Sequence, residues 1–205
     1  ALVLPEVTAT LSWWSVVTAQ LQLDQLELSR PDLEIERDSE GHIFVGGIYV
    51  DTQKQDSGQG IEWLLAQREI VIREGWVRWQ DHLRNAPDLV LSKVSFVLQK
   101  QWRTHRAALH ATPPRELAAP IDLRVEFAHP AFSRSADSSQ WAGEIYVDCR
   151  NTSLGAWKPY VDWPYKLSGG NGAIRAWLRF DHQVAANFTA DLDLKNLSVQ
   201  LGDRK

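Results

Sequence analysis

One short pattern is written three times in this chain. Leu23-Asp24-Gln25-Leu26-Glu27-Leu28, Leu91-Ser92-Lys93-Val94-Ser95-Phe96 and Leu194-Lys195-Asn196-Leu197-Ser198-Val199 each read apolar, polar, polar, apolar, polar, apolar. A further Leu stands two places upstream of each, at Leu21, Leu89 and Leu192. Successive residues of a strand face opposite sides, so a spacing of three throws the second half of the pattern onto the wrong face. One inserted residue, a β-bulge, restores the phase. The pattern therefore predicts long strands that bend where the spacing slips. The competing explanation is a two-residue turn joining two strands. Such turns favour glycine, and none of the three copies carries it.

Alternation recurs along the rest of the chain. Residues 20–36 read as two strands parted by a turn at Ser29-Arg30-Pro31-Asp32, and His42–Val50 as a strand containing Gly46-Gly47. Residues 51–60 are polar and Gly-flanked, the composition of a mobile loop. Ile61–Gln67 is the best helix candidate, with Ile61, Leu64 and Leu65 at one-face spacing. Strands follow at 69–73 and 76–81, joined at Glu74-Gly75, then at 89–99, 103–111, 121–127, 141–149, 174–181 and 184–201. Residues 133–140 are Ser-rich and read as a loose loop, 154–160 as a short helix or turn, and Ser168-Gly169-Gly170-Asn171-Gly172 as a flexible turn. The expected fold is mostly β: a long, curved, largely antiparallel sheet forming a trough, with one or two short helices. A β-sandwich is the alternative way to cover the apolar faces. Residues 1–205 form one β-rich segment, with a subdivision into 1–115 and 116–205 left open.

Net charge is −4, and no basic block stands out, which argues against a nucleic-acid partner. No apolar run approaches the roughly 18 residues of a membrane span. The chain starts at Ala1 and contains no Met, so it reads as a piece of a longer protein. A search for chemistry is negative, which predicts a protein that is not an enzyme and needs no metal or cofactor. The six His show no ligand spacing, and His105 and His110, five apart on one strand, point to opposite faces. Asp81, Asp122, Glu126, Glu144 and Asp148 alternate with apolar residues and read as the solvated face of strands. Cys149 reads as a small buried apolar residue. Ten Trp form an unusual excess, and Trp76, Trp102, Trp141 and Trp163 look exposed.

Several stretches resemble a known family. They are Leu21-Gln22-Leu23-Asp24-Gln25-Leu26-Glu27-Leu28-Ser29-Arg30-Pro31-Asp32-Leu33, Gly41-His42-Ile43-Phe44-Val45-Gly46-Gly47-Ile48, residues 63–73, Val77-Arg78-Trp79-Gln80-Asp81, Leu109-His110-Ala111-Thr112-Pro113-Pro114, Ala156-Trp157-Lys158-Pro159-Tyr160 and Gly172–Leu178. Together, and in this order, they resemble the AsmA-like family and within it the YhdP-type proteins of Gram-negative bacteria. The resemblance implies a periplasmic, bridge-like lipid transport protein anchored to the inner membrane by a helix outside this fragment. It implies a long sheet with an apolar groove, a role in moving phospholipid toward the outer membrane and maintaining its barrier, and no catalytic motif.

Three functional readings follow. The first is a groove segment whose partners are phospholipid acyl chains and neighbouring segments of the same full-length chain. Its lining would include Leu91, Val94, Phe96, Leu98, Leu123, Val125, Phe127, Ile174, Leu178 and Phe180. The second is a non-catalytic glycan- or peptidoglycan-binding β-sandwich using the exposed Trp residues. The third is a structural spacer or partner-docking module that pairs through its edge strands.

Overall fold

The computed structural model describes residues 3–12, 23–50, 58–131, 133–135, 137–161 and 166–200. Twelve strands form one sheet: β1 (Glu6–Leu11), β2 (Leu23–Ser29), β3 (Asp32–Arg37), β4 (Ile43–Val45), β5 (Ile48–Val50), β6 (Glu69–Asp81), β7 (Leu89–Gln101), β8 (Thr104–Thr112), β9 (Ile121–Ala128), β10 (Ala142–Ser153), β11 (Lys166–Asp181) and β12 (Val184–Gln200). One helix, α1 (Gly58–Ala66), and a 3₁₀ turn at Ser138–Gln140 complete the described elements. The order across the sheet is β12-β11-β10-β9-β8-β7-β6-β3-β4-β5, with β2 also beside β6 and β1 beside β2. The sheet is single, open and curved, and no second sheet packs on it among the described residues, so the sandwich alternative falls away.

From β6 to β12 every neighbouring pair is antiparallel. The exceptions lie on the other side of β6. Both β2 and β3 run parallel to it, β2 along its first half (Leu26↔Ile70 to Ser29↔Arg73) and β3 along its second (Asp32↔Trp76 to Arg37↔Asp81). The Arg30-Pro31 joint is thus an in-line kink and not the expected reversing turn. It is held by Arg30 N–H donating to Arg73 O at 2.7 Å and Trp76 N–H to Pro31 O at 2.8 Å. A parallel pair needs a crossover, and residues 38–68, with β4, β5 and α1, supply it. This places α1 on one face of the sheet.

The bulge reading holds for all three copies of the repeated pattern. In β7 the pairing slips between Ser92↔Thr112 and Ser95↔His110, with Lys93 left-handed at φ 51°. In β12 it slips between Asn171↔Lys195 and Gly169↔Ser198, with Asn196 at φ 54°. In β2 the slip is against β1, between Thr10↔Gln25 and Leu11↔Leu23. Two further bulges carry left-handed residues, Glu74 (φ 52°) in β6 and Asn151 (φ 48°) in β10. Segments 69–73 and 76–81 are therefore one strand and not two. The glycine-rich stretch at 168–172 also lies inside β11, with pairing shifts around Gly169, where a turn was expected. Arg30, Glu74, Lys93, Asn151 and Asn196 fall on one oblique line across the sheet, which β8 and β9 meet with their ends at Thr112 and Ile121. Bulges bend a strand and increase its twist, so this line is a crease.

The helix candidate is borne out at Gly58–Ala66, and 154–160 is a turn. Among the α1 residues whose burial is described, 62–66, only Leu65 is buried; Trp63 and Leu64 are exposed. Of the loop expected at 51–60, residues 51–57 lie outside the described residues and 58–60 open the helix. Within 133–140, Asp137 caps the 3₁₀ turn by accepting from Ser139 N–H at 3.1 Å.

Candidate functional site

Residues directly paired across strands share a face, so the register assigns the paired residues from β6 to β12 to one side or the other. One row reads Ile72, Phe96, Leu109, Leu123, Val147, Ala176, Ala190. The next reads Ile70, Leu98, Ala107, Val125, Ile145, Leu178, Phe188. Neither contains a polar residue. With strands about 4.8 Å apart, each row runs about 29 Å across six inter-strand steps. A third row, Ala111, Ile121, Cys149, Ile174, Leu192, borders the crease.

The opposite face carries most of the charged side chains between β6 and β12, beside Val71, Val97, Ala108, Tyr146 and Trp177. Its rows include Gln99, Arg106, Glu126, Glu144, Arg179 and Asn187. Charges there are paired, across strands in Arg106 Nε to Glu126 at 2.8 Å and Arg179 to Glu144 at 3.5 Å, and along one strand in Arg124 Nε to Asp122 at 3.0 Å and Arg150 to Asp148 at 3.1 Å. A shallow depression of about 450 Å³ on that side is walled by such pairs, with Tyr146 and Trp177 between them. Of the carboxylates expected on a solvated face, Asp81 departs. It is buried and bound by Arg37, whose Nε donates to Oδ1 at 2.9 Å.

Among the described residues, the apolar face is closed at its two margins and carries no covering element between them. At one margin Leu65 of α1 packs on Ile70, Leu98 and Phe127. Two buried polar side chains fix the helix there. His105, fully buried, donates from Nε2 to Leu65 O at 3.0 Å and stacks on Phe127 with ring centroids 4.9 Å apart. Gln67, 1% exposed, accepts from Leu23 N–H at 2.7 Å and donates to Trp63 O. Burial pushes the His105 imidazole pKa down, against the raising effect of its hydrogen bond to Leu65. Gly143 is required in the row of Phe127 and Phe180, because a Cβ there would stand 2.1 Å from Glu126 O. Trp141 stacks on the Phe127 ring with centroids 4.1 Å apart. At the other margin Val94, Ala111, Leu117, Ala118 and Leu154 are buried along the crease. Cys149 is buried with them, and its thiol is pushed up by that burial, which removes the thiolate a nucleophile needs.

The ten residues singled out by sequence all fall on this face. Val94, Leu98 and Phe127 are buried, two of them under α1; Leu91, Phe96, Leu123, Val125, Ile174, Leu178 and Phe180 are half-buried. The central row from Ile72 to Ala190 is half-buried throughout, and on edge strand β12 Phe188 is 65% and Leu192 59% exposed. Ile70, Ile72, Ala107, Leu109, Ile145, Val147 and Ala176 complete the floor and were missed, although period-two alternation marks Leu109, Ile145 and Val147. Among the Trp expected to be exposed, Trp76 and Trp102 are; Trp141 is stacked and donates from Nε1 to Ser135 O at 2.9 Å; Trp163 lies outside the described residues.

A contiguous apolar floor, with no second layer over it among the described residues, is uncommon on a plain monomer, and its rows lead across strands without interruption. The sequence profile of the YhdP protein family matches residues 1–205. The chain belongs to this family. No curated protein and no solved structure matches it. As a YhdP-family chain it takes the family's lipid-transport-related role, in a family not known for catalysis. No helix among the described residues is long and apolar enough to cross a membrane.

Proposed function

We propose that this segment is a stretch of groove along which phospholipid acyl chains travel toward the outer membrane, whose barrier the transport maintains. The supporting observation is the pair of uncharged rows on one face of a single-layer sheet. A CH₂ group in water costs roughly 0.8 kcal/mol, so a chain of about 15 carbons costs about 12 kcal/mol to expose. An apolar floor lowers that cost along the whole path and demands no chemistry. Half of a bilayer's hydrocarbon core is about 15 Å thick, so rows about 29 Å long accommodate the full length of one acyl chain. The headgroup stays in water at the open side. In this reading the full-length protein is periplasmic and held at the inner membrane by a helix outside residues 1–205. Neighbouring segments of the same chain pair with the exposed edge strands, and the exposed Phe188 and Leu192 of β12 carry the floor across the junction.

Organic extraction of the gently purified full-length protein, followed by lipid mass spectrometry, tests the reading. Phospholipid is expected with the native sequence and is reduced by Leu123→Glu or Val147→Glu, which put charge on the central row. Arg124→Glu on the opposite face leaves it unchanged. Absence of phospholipid from the folded native protein counts against the groove.

A further inference from the structure

The hairpin tip between β7 and β8 is unusual for reasons that folding does not explain. Gln101 pairs with Thr104, so Trp102 and Arg103 are the two turn residues. Trp102 is 90% exposed, and its φ of 58° is the left-handed conformation that hairpin turns ordinarily give to glycine. A large aromatic thus stands fully in solvent where a small flexible residue suits the backbone better.

Its surroundings are cationic and apolar. Lys100 N–H donates to Arg68 O at 2.9 Å, which sets the end of α1 beside this tip, as does the His105 to Leu65 hydrogen bond. Arg68, Lys100 and Arg103 have no ion-pair partner among the described residues. By contrast, Arg37, Arg73, Arg106, Arg124, Arg150 and Arg179 are all paired. Glu69, next to Arg68 in the chain, accepts from the Gln99 amide at 2.8 Å and forms no ion pair with Arg68 among the described residues. On α1, Trp63 and Leu64 are exposed at 37% and 40%, while Leu65 packs on the sheet. Indole rings settle at the headgroup level of a bilayer, and unpaired cations are drawn to anionic lipid within a Debye length of its surface. The whole chain has a net charge of −4, whereas Arg68, Lys100 and Arg103 against Glu62 and Glu69 leave this end of the sheet at +1.

From this juxtaposition we infer that the β7–β8 tip and the outer side of α1 form a docking surface for an anionic phospholipid bilayer. Trp102, Trp63 and Leu64 enter the interface, and Arg68, Lys100 and Arg103 meet lipid phosphates. The surface is separate from the apolar floor, since among the described α1 side chains it is Leu65 that packs on the sheet.

Co-sedimentation of the 205-residue chain with vesicles tests the inference, with far-UV circular dichroism to verify folding. Vesicles of phosphatidylcholine mixed with phosphatidylglycerol bind the chain, and pure phosphatidylcholine binds it much more weakly. Each cation near an anionic surface strengthens binding roughly five-fold, so replacing Arg68, Lys100 and Arg103 together by Ser weakens it roughly a hundred-fold. Trp102→Ala weakens it about tenfold, while Arg124→Ser on the opposite face leaves it unchanged. Equal binding to both vesicles, binding indifferent to the tip variants, or no binding by the folded chain overturns the inference. None of these outcomes bears on lipid recovered from the floor, which Leu123→Glu reads separately.

Discussion

His105 and Asp81 are buried polar residues with opposite electrostatic consequences. His105 stacks on Phe127 and donates to the α1 carbonyl of Leu65, while its Nδ1 is buried without a partner. Burial lowers its pKa, with Lys100 and His129 adding to the shift. Its folded value thus lies below the unfolded value of about 6.5, and the unfolded chain takes up the proton first. Stability from the neutral ring is fully present above about pH 6.5 and falls as pH drops through that value toward the folded one. Urea denaturation across this range is expected to show that loss, and His105→Gln to flatten it while lowering stability overall. Asp81 behaves as a paired carboxylate. Burial pushes its pKa up, but the Arg37 hydrogen bond, the Arg84 N–H and both guanidinium charges outweigh it, and the net shift is down. Asp81→Asn leaves Arg37 poorly matched and is expected to cost about 2–4 kcal/mol at neutral pH in the same assay. The difference narrows as pH falls through the folded Asp81 value, where the native carboxyl is itself neutral. Alternation assigned His105 to the face opposite His110, and the register agrees. It could not reveal that a crossover helix would bury His105, nor that Asp81 would end β6 against Arg37 from β3. Both depend on contacts about 40 residues apart in the chain.

At the scale of the element, the bulges decide which face each strand presents. Lys93 occupies a left-handed conformation that costs a side chain with a Cβ roughly 1–2 kcal/mol. Lys93→Asn is therefore expected to stabilise by a few tenths to about 1 kcal/mol, and Lys93→Val to destabilise by about 1–2 kcal/mol, as read by thermal denaturation. Deleting Lys93 is far more damaging. It shifts β7 by one residue and sends either Leu89 and Leu91 or Val94 and Phe96 to the polar face. Gly143→Ala, whose added carbon has no room beside Glu126 O, should separate β9 from β10 and lower the melting temperature markedly. The bulges in the repeated pattern were legible because their spacing breaks strand periodicity while preserving apolar phase. Those at Glu74 and Asn151 were not, and Arg30-Pro31 and Gly169-Gly170 were read as turns. A turn and an in-strand bulge both call for left-handed or glycine backbone, so local composition does not separate them. The partner strand does.

The molecule as a whole is one sheet whose uninterrupted apolar rows cross from strand to strand on one side, with most charges of β7–β12 on the other and Arg37, Asp81 and Lys100 at the apolar side's margins. Alternation in β7, β9 and β11 showed much of that sorting in advance, which is why all ten anticipated residues share a face. What it left open was the covering layer. A sandwich core and an open floor present the same alternating sequence, and only the absence of a second sheet among the described residues distinguishes them. The parallel pairing of β2 and β3 with β6 was equally hidden, since it is fixed by the crossover that carries α1. An open floor makes a specific demand on the full-length protein. A photoreactive amino acid at Leu123, in the half-buried central row, should crosslink to phospholipid in cells, and one at Arg124, the next residue on the opposite face, should not. Adducts at 123 but not at 124 are the predicted result; no adduct at 123, or equal adducts at both positions, would contradict a lipid-bearing groove.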